Sequence, residues 1–279
     1  MYSTEGIVLK EKDFGEADRF FTLFTKDFGK IKVMAKGVRK IKAKLRGGLQ
    51  LFHYIYLEFV QGKYFYTAIE AVNINTFLTL RNEPEKLKAL FYISELLAKL
   101  VKEERDERIW LLFLKIFKKM EESKFSGSRL ELLLRYFEWN LLDILGYHPE
   151  LYNCVNCGVK LREGKPPHHN EDKLPKVTKL TESVPVWCGG KLYFSAGEGG
   201  ILCGFCKNKD REAREIELDA IKILRLILGR KKEILEKLKI NIQESGLTRS
   251  NFLEQNLDGL KKITQYYLQY LLEEKIEPV

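Results

Sequence analysis

Two cysteine pairs constrain this chain more than any other feature. Cys154-Val155-Asn156-Cys157 and Cys203-Gly204-Phe205-Cys206 are both CxxC knuckles, with 45 residues between them. Two residues between the sulfurs let both thiolates of a tight turn face one ion, and a second pair completes a tetrahedral set. The fold must then bring 154–157 and 203–206 to one point. Residues 151–210 hold four of the seven prolines and all five cysteines, with little periodic hydrophobicity. A bound metal would organise such a stretch. The gap between the knuckles exceeds ordinary zinc-ribbon spacing, but neither knuckle sits in the βαβ context of a redox CxxC. One structural zinc ion on Cys154, Cys157, Cys203 and Cys206 is therefore expected.

A catalytic zinc needs an open coordination position and an acid or base beside it. Four thiolates leave no vacancy, no HxE triplet occurs, and no proline precedes either knuckle as in nucleotide deaminases. Cys188 has no CxxC partner and reads as a small buried residue. His168 and His169 read either as substitute ligands or as two solvated side chains. No secretory signal is legible at Met1-Tyr2-Ser3-Thr4-Glu5, and no apolar run approaches the ~20 residues that span a bilayer. A reducing, cytoplasmic setting is expected, with cysteines as thiols or ligands rather than disulfides.

The formal net charge is +9, and residues 1–80 hold 13 basic against 8 acidic side chains. The densest part is Lys30, Lys32, Lys36, Arg39, Lys40, Lys42, Lys44 and Arg46, with no acid among them. Eight cations on a strand and its following loop suit a phosphate backbone and predict salt-dependent affinity. These eight are the candidate nucleic-acid-binding residues. The nearby aromatics Phe52, Tyr54, Tyr56, Tyr64, Phe65 and Tyr66 either stack on unpaired bases or, spaced two apart, fill a core. Asp13, Glu16 and Asp18 read as surface charges on a strand-turn edge. No GxxxxGK[ST] loop, nucleophile elbow or HExxH motif is present.

The same N-terminal stretch reads as strands. Gly6–Leu9, Phe20–Thr25, Ile31–Ala35, Leu51–Val60 and Tyr64–Val72 are rich in β-branched and aromatic residues and bounded by turn signals. Five short strands in about 75 residues fit a small barrel. Near Asn82-Glu83-Pro84-Glu85 the period changes to helical. One stripe follows Leu87, Leu90, Phe91, Ser94, Leu97 and Val101, and another Ile109, Leu112, Phe113, Ile116, Phe117 and Met120. A third opens on the capping box Ser128-Arg129-Leu130-Glu131 and stops at Gly146. Helical signal returns in Leu218–Leu228, Ile234–Leu238 and Phe252–Leu272. The expected class is α+β, in four parts: a barrel over 1–80, a helical bundle over 81–150, a zinc module over 151–210, and closing helices over 211–279.

Specific strings carry a family resemblance. Thr4-Glu5-Gly6-Ile7-Val8-Leu9, Gly15-Glu16-Ala17-Asp18, Thr25-Lys26-Asp27-Phe28-Gly29-Lys30, Ala35-Lys36-Gly37-Val38-Arg39-Lys40 and Leu45-Arg46-Gly47-Gly48-Leu49-Gln50-Leu51-Phe52 resemble the RecO family of bacterial recombination mediators. So do Leu142-Asp143-Ile144-Leu145-Gly146-Tyr147-His148-Pro149 leading into Cys154, and Phe194-Ser195 with Gly199-Gly200, Leu202-Cys203 and Cys206. The resemblance implies an OB-fold barrel, a helical domain and a zinc finger. It also implies binding of single- and double-stranded DNA, annealing of complementary strands, and partnership with RecR and the C-terminal tail of single-stranded-DNA-binding protein to load RecA. That work belongs at the nucleoid and involves no catalysis. Two other classes stay open on the residues alone: an RNA-binding barrel-and-zinc protein, and a zinc-dependent nucleic-acid hydrolase.

Overall fold

The computed structural model describes residues 1–122, 125–161, 191–229 and 248–272, with backbone alone for 248–256. His168, His169, Cys188 and the expected helix at 234–238 lie outside the described residues. The chain forms two compact units, within residues 1–137 and 138–276.

The first unit opens with β1 (Tyr2–Phe14), β2 (Asp18–Thr25), β3 (Gly29–Ala35), β4 (Tyr54–Gln61) and β5 (Tyr66–Asn75). They close into a barrel in the order β1-β2-β3-β5-β4. The β3–β5 pair is parallel and the others antiparallel, which makes this an OB-type barrel. Alternation drives the closure. Val8, Phe21, Leu23, Val33, Ile55, Leu57 and Phe59 point inward and are essentially fully buried. Each contributes about 1.5–3 kcal/mol on leaving water. β4 begins three residues later than its composition suggests, because Phe52 takes a left-handed backbone (φ 65°) that no strand accommodates. β1 runs past Leu9 to Phe14, since Lys10 and Lys12 stay in register with β2 although apolar alternation has ended.

The helices α1 (Leu78–Asn82), α2 (Pro84–Leu100), α3 (Glu107–Glu121) and α4 (Ser128–Ile144) follow. Asp106 caps α3 by accepting the Arg108 N–H, and α3 buries all six residues of its expected stripe. Phe24 and Tyr54 of the barrel meet Trp110, and Phe24 also meets Phe113. In α2 the expected Leu90, Ser94, Leu97 and Val101 are buried and Leu87 is partly buried, so Phe91 alone departs from the expected stripe. Phe91 is half exposed, while Ala89, Ile93 and Leu96 are buried. The buried face is broader than the stripe and extends away from Phe91, whose ring meets Phe52 edge-on.

The second unit contains the later half of α4, then β6 (Leu192–Ser195), β7 (Gly200–Cys203), β8 (Arg214–Ile216), α5 (Leu218–Leu228) and α6 (Thr248–Leu272). Its centre is Trp139, which donates to Thr264 Oγ1 at 2.9 Å, stacks on Tyr267 and meets Phe194 edge-on. The strands form a three-stranded sheet, β7-β6-β8, within an otherwise helical unit.

Candidate metal centre and nucleic-acid interface

The knuckles meet because residues 150–155 lie along β7. Glu150 N–H donates to Gly199 O, Ile201 N–H to Glu150 O, and Val155 N–H to Ile201 O. Gly200 permits this approach: a Cβ there would stand 2.6 Å from the Glu150 carbonyl oxygen. Arg225 of α5 holds the same strip, donating to Leu151 O at 2.6 Å. The first knuckle turns through Gly158 N–H to Cys154 O. Cys154 and Cys203 are buried with Leu202 and Ala213 as neighbours, while Cys157 faces solvent and Cys206 is partly covered.

All four sulfurs lie within 4.8 Å of one another, and Cys157 Sγ and Cys203 Sγ are 3.8 Å apart. Tetrahedral Zn–S bonds of about 2.3 Å place sulfurs about 3.8 Å from each other, so the donor set fits such an ion. Donors surround it too. Cys203 N–H reaches Cys154 Sγ at 3.4 Å, and the Asn156 amide reaches Cys206 Sγ at 3.1 Å. Burial alone would raise the Cys154 thiol, but backbone N–H groups of Cys157, Cys203 and Asn156 bring it down to about 7. Packing and the three neighbouring sulfurs push the Cys157 thiol the other way, to about 12. Four close thiols of this kind can hold a metal ion.

The eight candidate cations do not form one group. Lys30 is half-buried, with its ammonium engaged by the end of α2. Its ammonium donates to Ala98 O at 2.8 Å and Val101 O at 2.7 Å, closing the C-terminal turn of α2, and burial lowers its pKa. Lys32 is exposed on β3 with its ammonium over the Phe20 ring. The rest lie on the loop joining β3 to β4. Val38 and Leu49 of that loop are buried in the barrel core, and Leu45 packs beside them. Asp18 accepts the Gly37 N–H at 2.7 Å and Ala17 O accepts the Arg39 N–H, which explains part of the acidic turn. Gly48 lies against β5, where a Cβ would stand 2.3 Å from Ala71 O.

Pinned this way, the loop turns Lys36, Lys40, Lys42 and Lys44 around a hollow of about 320 Å³ with no acidic residue in its wall. All four are exposed. A second hollow of about 420 Å³ gathers Arg19, Arg39, Arg46 and Arg81 with Glu11. There Arg19 is held by Glu11 and Asp13, and Arg39 stands 3.6 Å from Asp13. Reading the chain alone missed Arg81, and also the exposed Lys10 and Lys12 on β1. Lys10 lies in one cross-strand row with Thr22 and Lys32, and Lys12 in the next with Phe20 and Met34. The i, i+2 spacing of Lys10 and Lys12, which places both on one face of a strand, was the available signal. Of the candidate aromatics, Phe52 and Tyr54 are buried, whereas Tyr64 and Phe65 are exposed on the β4–β5 loop. Among the described residues no helix is long and apolar enough to cross a membrane.

Comparison with known proteins agrees with this architecture. Residues 1–77 match the family model described as recombination protein O N terminal, and residues 81–169 match recombination protein O C terminal. A DNA repair protein RecO from Roseiflexus sp. is 30% identical over 98% of this chain and 82% of its own length. One from Dehalococcoides mccartyi is 32% identical over 86% of this chain and 83% of its own. One from Acetivibrio thermocellus is 30% identical over 97% and 91% respectively. With an OB-type barrel, a helical continuation and clustered knuckle cysteines, the chain belongs to the RecO family.

Proposed function

We propose that this chain is a DNA repair and recombination mediator that works without catalysis, binding single- and double-stranded DNA and annealing complementary strands. The observation that carries this reading is the acid-free hollow ringed by Lys36, Lys40, Lys42 and Lys44 on an OB-type barrel. Four free ammonium groups on an anchored loop neutralise phosphates without reading bases, so duplex and single strands are both accepted. A surface that screens two backbones lowers the repulsion between strands, and base pairing supplies the rest. Relatives of this chain bear the name DNA repair protein RecO, which supports the repair role. The family resemblance supports the finer assignments: RecR and the acidic tail of single-stranded-DNA-binding protein as partners, RecA loading as the outcome, and the nucleoid as the place.

The metal is zinc in this reading, one ion on Cys154, Cys157, Cys203 and Cys206, where it would tie the two knuckles together. Its four thiolates would leave no open position for a substrate, in keeping with a structural role. The test of the main reading is equilibrium binding of matched single-stranded DNA, duplex DNA and RNA. Comparable, strongly salt-dependent affinity for both DNA forms is expected. A clear preference for RNA would overturn the assignment.

A further inference from the structure

A row of aromatic rings lies on the outside of the barrel, and core packing does not account for it. Phe14 meets Phe20 edge-on at 5.0 Å, Phe20 meets Phe65 at 4.9 Å, and Phe65 meets Tyr64 at 6.4 Å. Phe20 is nearly covered by its neighbours, but Phe14, Phe65 and Tyr64 are 50%, 44% and 76% exposed. Single exposed apolar side chains are ordinary, whereas a connected row of rings marks a contact surface. The fold builds it deliberately. Phe14 ends β1, Phe20 stands on β2, and the short loop closed by Gly62 N–H to Phe65 O presents Tyr64 and Phe65.

Cations interleave with the rings. Lys32 lies 4.5 Å from the Phe20 centroid and Lys63 5.2 Å from that of Tyr64. Both line a hollow of about 440 Å³ with Tyr64 and Phe65, and Glu103 is the one acid in its wall. This hollow shares no lining residue with the lysine hollow on the β3–β4 loop. Rings alternating with ammonium groups match a polymer that alternates flat apolar faces with negative charges. An apolar helix would leave Lys32 and Lys63 uncompensated, and an acidic peptide would leave the ring faces without a flat partner.

We propose that Phe14, Phe65 and Tyr64, with Lys32 and Lys63, form a second nucleic-acid site that stacks the bases of an unpaired strand. The proposal rests on the DNA-binding reading and adds a division of labour. The lysine hollow takes phosphates of any strand, and the aromatic row takes bases only when they are unpaired. A barrel with both holds one strand by its backbone while displaying another by its bases.

The test compares an oligothymidylate with an abasic oligonucleotide of equal length, measured on the full chain at one salt concentration. Wild type is expected to bind the thymidylate about fivefold or more tightly, the scale of one base–aromatic stack. Tyr64→Ala, a change at a largely exposed side chain, should remove most of that preference and leave abasic binding unchanged. Tyr64→Phe should keep it. Neutralising Lys36, Lys40, Lys42 and Lys44 should weaken both ligands alike. Equal wild-type affinity for the two oligonucleotides would overturn the stacking site while leaving the phosphate hollow standing. Failure to bind either would overturn both readings. Loss of abasic binding in Tyr64→Ala would show the residue to be structural and would also overturn the proposal.

Discussion

Replacing Lys36, Lys40, Lys42 and Lys44 by glutamine removes four charges and leaves the loop's anchors, Val38 and Leu49, in the barrel core. The size of the effect follows from their number. Each phosphate neutralised contributes about 0.7 to the salt exponent for single strands and about 0.9 for duplex. Four contacts thus set an exponent of about 3, which amounts to roughly a 60-fold change in affinity between about 50 and 200 mM salt. Fluorescence anisotropy of a labelled oligonucleotide, titrated at several salt concentrations, reads the exponent as a slope. The quadruple variant should lose about 3 from it, with the larger loss on duplex. Thermal unfolding should stay near wild type, because all four side chains are exposed. An unaltered slope would refute the assignment of the hollow to phosphates.

Lys30→Met should behave in the opposite way. It removes two hydrogen bonds from an ammonium to the end of α2, costing about 1.5–3 kcal/mol in chemical denaturation, and it should leave the salt slope unchanged. Gly48→Ala drives a methyl group into the Ala71 carbonyl, so a loss of about 2–3 kcal/mol is expected, with weaker DNA binding because the loop loses its seat. Purified wild type should carry about one zinc per chain by elemental analysis, and Cys154→Ser with Cys157→Ser should carry none. That double variant should melt earlier in the second unit and keep the salt slope of the barrel. A metal-free wild type that unfolds normally would remove the zinc assignment.

Much of the barrel was legible because period-two alternation records burial on one side of a sheet. The stripe of α3 was equally legible, since six apolar residues at helical spacing have no other use. The small sheet β7-β6-β8 was not. Strands of three or four residues containing Gly200 and Cys203 carry too few side chains to show a period. The four-cysteine cluster was readable because ligand spacing is chemistry rather than packing, and the fold brings Cys154, Cys157, Cys203 and Cys206 within 4.8 Å, close enough to hold a metal ion. The basic segment was readable as charge but not as function. Lys30 looks like its neighbours until α2 arrives from some 70 residues away to claim its ammonium. The separation of Lys32 from the loop lysines likewise depends on which strands close the barrel. The exposure of Tyr64 and Phe65, against the burial of Phe52 and Tyr54, rests on a left-handed residue and a short loop.

The most direct test of the repair assignment is annealing of two complementary oligonucleotides, each coated with single-stranded-DNA-binding protein, followed by fluorescence quenching. The wild-type chain should accelerate pairing, and the variant lacking Lys36, Lys40, Lys42 and Lys44 should fall to the rate without added protein. Wild type that fails to accelerate pairing, or a variant that anneals as fast as wild type, would contradict it.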